Sequence, residues 1–118
     1  MRLTDSEWKI ANCLWKNKYM TLTELTRELL ASTGWTKHTI ITLLKRMIEK
    51  GMVSYEQEGR TKKFYTVIDR TDAELEETNS FIDKVYEGNA GLMIANLIGS
   101  NALTEDQLAE IKRMIEEI

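Results

Sequence analysis

The sequence predicts a mainly α chain in two parts: three helices closed by a β-hairpin over residues 1–68, then three further helices over 69–118. Three observations carry that reading. Thr-x-x-Glu/Gln capping boxes, bracketed by apolar pairs, mark helix starts. After Gly51 the helical hydrophobic period gives way to short β-branched and aromatic runs joined by a polar tip. The charge also divides: residues 1–68 carry 12 Lys and Arg against 7 Asp and Glu, whereas residues 69–118 carry 4 against 12.

Composition narrows the class. The chain of 118 residues is 42% hydrophobic and 30% charged, which excludes disordered and membrane-embedded chains and leaves room for one ordinary domain or two very small ones. Proline is absent, favouring uninterrupted helices. The longest uncharged run, 88–104, has an apolar centre at 92–98 that is too short and too polar to cross a bilayer. Cys13 is the only cysteine and His38 the only histidine, so neither a disulfide framework nor a zinc ligand set is available. No metal or cofactor is expected. No basic-then-apolar leader opens the chain, and a cytoplasmic protein is expected.

Thr4-Asp5-Ser6-Glu7 with Leu3/Trp8 starts the first helix near residue 5, running to Asn17. Its expected buried face is Trp8, Ala11 and Trp15, flanked by Ile10 and Leu14, and Cys13 reads as a structural thiol. Thr21-Leu22-Thr23-Glu24 with Met20/Leu25 starts the second, which ends near Ser32 before a turn at Gly34. The third takes Thr36 as N-cap and stops at Gly51, with Ile40, Leu43, Leu44, Met47 and Ile48 as one apolar stripe. Residues 52–57 and 63–67 then read as a hairpin joined by Glu58-Gly59-Arg60-Thr61. This order is that of a winged helix-turn-helix. Thr71-Asp72-Ala73-Glu74 places the start of the fourth helix near 72, running to 86. A short fifth follows at about 90–99, and Thr104-Glu105-Asp106-Gln107 with Leu103/Leu108 opens the sixth, to about 117.

A basic half suggests a polyanionic partner, the alternative being two solvated faces that differ by chance. On the third helix, His38, Thr42, Lys45 and Glu49 lie opposite the apolar stripe, with Thr39 and Arg46 alongside. Short hydroxyls allow close approach to base edges in a DNA major groove, and Arg or Lys reach guanine or phosphate. His38, Thr39 and Thr42, nearest the N-terminus, are therefore the candidate base contacts. Thr36, Lys37, Lys45 and Arg46, together with Arg60, Lys62 and Lys63 on the hairpin, are the candidate backbone contacts. Ile41 lies about 90° from the stripe centre, by the 100° step of a helix. It either packs under the second helix or touches a thymine methyl.

The acidic half, about 50 residues, is too small to be stable alone. Leu108, Ile111 and Ile115 repeat at coiled-coil-like spacing. The fourth helix carries Leu75, Phe81, Ile82 and Val85 on one side, and Leu92, Ile94 and Leu97 belong to a segment apolar nearly all round, expected to be buried on all sides. A homodimer whose helices intertwine about a two-fold axis satisfies all three, the alternative being that they fold back on the first domain. Catalysis finds no Ser-His-Asp or Cys-His arrangement and no phosphate loop, so an enzyme is not expected.

These residues resemble the BlaI/MecI penicillinase-repressor family, which also includes the copper-responsive CopY-type repressors. Leu3-Thr4-Asp5-Ser6-Glu7-Trp8 with Leu14-Trp15-Lys16 is similar to the family's S-x-x-E-W…I-W opening. The stretch from Trp35 through Thr39, Thr42 and Arg46 to Met47 is similar to its W-x-x-x-T-I-x-T-L-L-x-R-L recognition helix. Lys50-Gly51, Glu58-Gly59-Arg60 and Phe64-Tyr65 match its hairpin, and Phe81-Ile82-Asp83-Lys84-Val85-Tyr86-Glu87-Gly88 its dimerisation helix. The resemblance implies a homodimeric repressor on a palindromic promoter operator of TACA/TGTA type, linked to antibiotic resistance, with Thr39 and Thr42 on bases and Arg46 on the backbone. The family often has Pro-Lys where this chain has Lys37-His38. It further implies relief by a membrane sensor protease that cuts the dimerisation domain at a position matching Asn96-Leu97. The copper-sensing members end in paired C-x-C motifs, which this sequence lacks. The alternative from another class is a winged-helix module that binds protein rather than specific DNA.

Overall fold

The computed structural model describes residues 2–118. Its described residues form α1 (Asp5–Asn17), α2 (Leu22–Thr33), α3 (Lys37–Glu49), β1 (Val53–Glu58), β2 (Thr61–Thr66), α4 (Arg70–Tyr86), α5 (Ala90–Gly99) and α6 (Glu105–Glu116). The chain divides into two compact units, Met1–Glu76 and Glu77–Ile118, with α4 running through the division. No helix among the described residues is long and apolar enough to cross a membrane.

Local chemistry sets the helix starts. Thr4, Thr21 and Thr104 each accept from the backbone N–H three residues on, and Glu7, Glu24 and Gln107 reach back to the N-cap N–H, so all three reciprocal boxes form. The fourth does not. Helix α4 begins two residues earlier, with Asp69 Oδ2 accepting from the Asp72 N–H at 3.1 Å, and Thr71 lies inside the helix. Two good capping residues compete here, and tertiary anchoring decides between them. Trp15 Nε1 donates to the Ile68 carbonyl at 3.3 Å, the Arg70 guanidinium lies over the Trp15 ring, and Ala73 packs against the core.

The core of the first unit is built from Ile10, Leu14, Leu25, Ile40, Leu44, Met47, Met52 and Val53, all essentially inaccessible. The expected face of α1 needs correcting. Ile10, Ala11 and Leu14 are buried, whereas Trp8 and Trp15 are only half-buried and pack against each other with tilted rings, centroids 5.7 Å apart. Glu7 shares the buried face at 0% exposure, and a carboxylate at that position disguises where the apolar face is centred. Burial pushes the Cys13 thiol up, as befits a packed structural thiol.

Helix α3 ends in a two-bond cap: Gly51 N–H donates to the Ile48 carbonyl and Met52 N–H to the Met47 carbonyl, with Gly51 at φ 76°. The buried Met52 and Met47 supply the apolar contact that accompanies this cap. Strand β1 lies one residue later than expected, and β2 starts two residues earlier and ends one residue earlier; they pair antiparallel with Tyr55 opposite Phe64 and Gln57 opposite Lys62. The two-residue turn is Gly59-Arg60, with Gly59 at φ 61°, so of the three hairpin cations Arg60 sits in the turn, whereas Lys62 and Lys63 lie on β2. Phe64 also exchanges both backbone hydrogen bonds with Met20, at 3.1 and 2.8 Å, which ties the hairpin base to the α1–α2 connection.

In the second unit Ile82 is buried, Leu108 and Ile111 are half-buried, and Phe81, Val85, Leu92, Ile94, Leu97 and Ile115 are exposed. Leu75, on α4 in the first unit, is exposed as well. The all-round burial expected for the 92–98 segment is thus not supplied by the chain itself.

Candidate nucleic-acid interface

Four buried residues of α3, Ile40, Leu43, Leu44 and Met47, fasten one face of the helix and present the other to solvent. On that outer face His38, Thr42, Lys45 and Arg46 are exposed, with Lys37 at the N-terminal end. The helix start is built from two threonines: Thr36 Oγ1 accepts from the Thr39 N–H at 3.3 Å and lies 3.3 Å from Thr39 Oγ1. Thr39 is consequently half-buried, its hydroxyl shared with the N-cap. Thr42 differs. Its Oγ1 donates to the His38 carbonyl at 3.0 Å, so the proton is engaged within the helix, while the exposed residue keeps its acceptor lone pairs and its methyl for a partner. That suits a base-edge amino group or a thymine methyl.

The backbone-contact candidates surround this face. Lys37, Lys45, Arg46, Arg60 and Lys62 make no ion pair among the described residues. Lys62 Nζ sits 4.6 Å from the centre of the Tyr55 ring, a diagonal cross-strand contact that orients the lysine on the wing. The sequence reading missed Tyr55. The signal was present, because a two-residue turn at Gly59-Arg60 fixes the register that places 55 beside 62.

Ile41 is the other position that the structure resolves. It lines a groove of about 380 Å³ between the start of α2, the side of α3 and the hairpin, together with Leu22, Ile48 and Phe64. It packs on the wing side rather than presenting itself with Thr42. A further missed pair lies behind the interface, where Lys50 Nζ at the end of α3 meets Glu7 at 2.8 Å.

Comparison with known proteins agrees with this geometry. The family model for penicillinase repressors matches residues 3–117. The methicillin resistance regulatory protein MecI of Staphylococcus aureus (strain N315) is 24% identical over 115 residues, covering 98% of this chain and 94% of that one. The penicillinase repressor of Bacillus licheniformis is 28% identical over 116 residues, covering 98% of this chain and 91% of that one. Among solved structures, monomeric Bacillus licheniformis BlaI in complex with the blaP half-operator matches at a TM-score of 0.54 and 30% identity, covering 61% of this chain and 88% of that chain.

Proposed function

Because the chain belongs to the penicillinase repressor family, we propose that it is a transcriptional repressor that binds operator DNA as a homodimer, laying α3 in the major groove with the hairpin on the flanking backbone. The observation that carries this reading is the outer face of α3, where His38, Thr42, Lys45 and Arg46 stand exposed on a helix fastened by four buried residues. His38, Thr39 and Thr42 read bases. Thr36, Lys37, Lys45, Arg46, Arg60, Lys62 and Lys63 hold phosphates.

Two features of the second unit support the dimer. At 42 residues it is too short to supply a self-sufficient core. It also exposes Phe81, Val85, Leu92, Ile94, Leu97 and Ile115, an apolar surface of the kind that a second copy covers. Two-fold symmetry imposes a palindrome, here of TACA/TGTA type, with half-sites about one helical turn or a multiple of it apart. Footprinting on such an inverted repeat tests this: two symmetric protected half-sites are expected, and a single unrepeated site overturns it.

Relief of repression, in this reading, comes from a membrane sensor protease that cuts between Asn96 and Leu97. That bond lies within α5, where Asn96 Nδ2 donates to Tyr86 Oη at 3.4 Å. A helical bond must open before a protease can engage it, and a ten-residue helix opens at low cost. A cut there detaches α6 and its share of the dimer seam, so operator affinity falls to that of a single half-site contact. Mass spectrometry of the protein from induced cells decides it: fragments ending at Asn96 support the route, and an intact chain throughout induction refutes it.

A further inference from the structure

The groove between the start of α2, the side of α3 and the wing contains none of the proposed base contacts His38, Thr39 and Thr42, yet it has the composition of a ligand site. Its volume, about 380 Å³, falls within the range of small-molecule sites. The floor is apolar: Ile41 and Ile48 are half-buried, Leu44 and Phe64 buried. The rim is cationic, with Lys45 from α3 and Arg60 and Lys62 from the wing, and no carboxylate lines it. Leu22 and Thr23 also line it, and as the first two residues of α2 their N–H groups have no intrahelical acceptor. Thr21, the N-cap, is already occupied by the Glu24 N–H, so it does not satisfy them.

An apolar floor under three cations selects one ligand class. We infer that this groove binds a small amphipathic organic anion, a ring or short chain bearing a carboxylate, whose body covers Ile41 and Phe64 and whose head meets Lys45, Arg60 and Lys62. A neutral molecule of the same shape gains the floor but not the rim. A simple inorganic anion gains the rim but leaves the floor wet. Occupancy has a consequence that rests on the DNA-binding reading above. The same three cations serve the DNA backbone, so a bound anion withdraws them from phosphate and weakens DNA binding without contact with His38, Thr39 or Thr42.

The test uses the full chain and two probes, 2-naphthoate and its neutral isostere 2-naphthamide, followed by amide and methyl NMR in the absence of DNA. Saturable shifts centred on Leu22, Ile41 and Ile48 are expected with naphthoate, and naphthamide should bind about tenfold or more weakly, the value of one desolvated charge-assisted hydrogen bond. Ile41→Trp, which fills the groove from a position off the base-reading face, should abolish the shifts. Equal binding of the two probes, shifts confined to residues 77–118, or no saturation overturns the site. A separate competition measures duplex DNA affinity with and without naphthoate. Loss of affinity in the parent chain but not in Ile41→Trp is expected, and unchanged affinity at a saturating probe overturns the antagonism. The NMR arm contains no DNA, so it reads the groove even if the DNA-binding reading fails.

Discussion

Glu7 and Lys50, forty-three residues apart in the chain, form a two-point ion pair: Lys50 Nζ lies 2.8 Å from Glu7 Oε1 and 3.0 Å from Oε2. The same Oε1 accepts the Thr4 N–H at 2.8 Å, so one carboxylate both completes the α1 capping box and holds the end of α3. Glu7 is fully buried and the Lys50 side chain is 22% exposed. The pair therefore ties the start of α1 to the end of α3, the helix whose outer face carries the proposed base contacts.

Removing the lysine should be expensive. Lys50→Met leaves a buried carboxylate without its counter-charge, and a loss of about 3 kcal/mol is expected. Urea unfolding monitored at the tryptophans measures it. A loss below about 1 kcal/mol, the scale of an exposed pair, would show that the contact adds little to stability.

The same pair makes the fold acid-sensitive. Burial raises the Glu7 carboxyl, but the hydrogen bond from Lys50, that from the Thr4 N–H and the lysine charge outweigh it, so the group titrates below the usual carboxylate range. A carboxyl depressed in the folded state contributes stability that is complete above its unfolded value, about 4.3, and is lost as pH falls through the folded value. The stability difference between the parent chain and Glu7→Gln should be constant from pH 6 to 8 and shrink in acid. A difference that stays flat to pH 3 would place the carboxyl's role elsewhere.

Base readers and phosphate binders should separate in binding assays. Thr42→Ala should cost about 1–3 kcal/mol per half-site and relax specificity at one position. Lys62→Ala should weaken every sequence alike and reduce the salt slope by roughly one unit for each phosphate no longer neutralised. Equal losses on operator and random duplex for Thr42→Ala would remove it from the base-contact set.

Truncation should depend on where the cut falls. Residues 1–76 keep the Trp15–Ile68 hydrogen bond, Arg70 over Trp15 and Ala73 against the core. They should fold as a monomer with operator affinity lowered by about 10²–10⁴. Residues 1–67 lack all three of these interactions and should melt at a lower temperature. Matching melting curves for the two fragments would argue that residues 68–76 contribute nothing to the first unit.

Gly51 should resist substitution. Its φ of 76° closes the end of α3, and nothing lies within 4 Å of a Cβ added there. Gly51→Ala therefore meets no clash, only backbone strain, and about 1 kcal/mol of lost stability is expected. Chemical denaturation measures it, and a neutral result would mean that the cap relaxes without cost.

Features settled within a few residues were legible from the sequence alone. Three of the helix starts could be read because a threonine and a Glu or Gln three positions on satisfy each other's backbone N–H groups, whatever the rest of the chain does. The stop at Gly51 was legible for the same reason, since only a left-handed residue closes that turn cheaply. The outward set on α3 followed from a clean apolar stripe. Long-range packing settled every case where two local solutions were nearly equal or where a side chain served a distant partner. Asp69 rather than Thr71 caps α4 because Trp15 and the core hold residues 68–73 in place. Glu7 can stay charged on the buried face of α1 because Lys50 reaches it from forty-three residues away, a partner that no window of helical spacing contains. Ile41 turns to the wing because Phe64 and Leu22 arrive there to meet it. Hydrogen bonds to the nearest backbone are short-range and sequence-encoded; the choice of which apolar or charged face is covered depends on what the remainder of the chain brings against it.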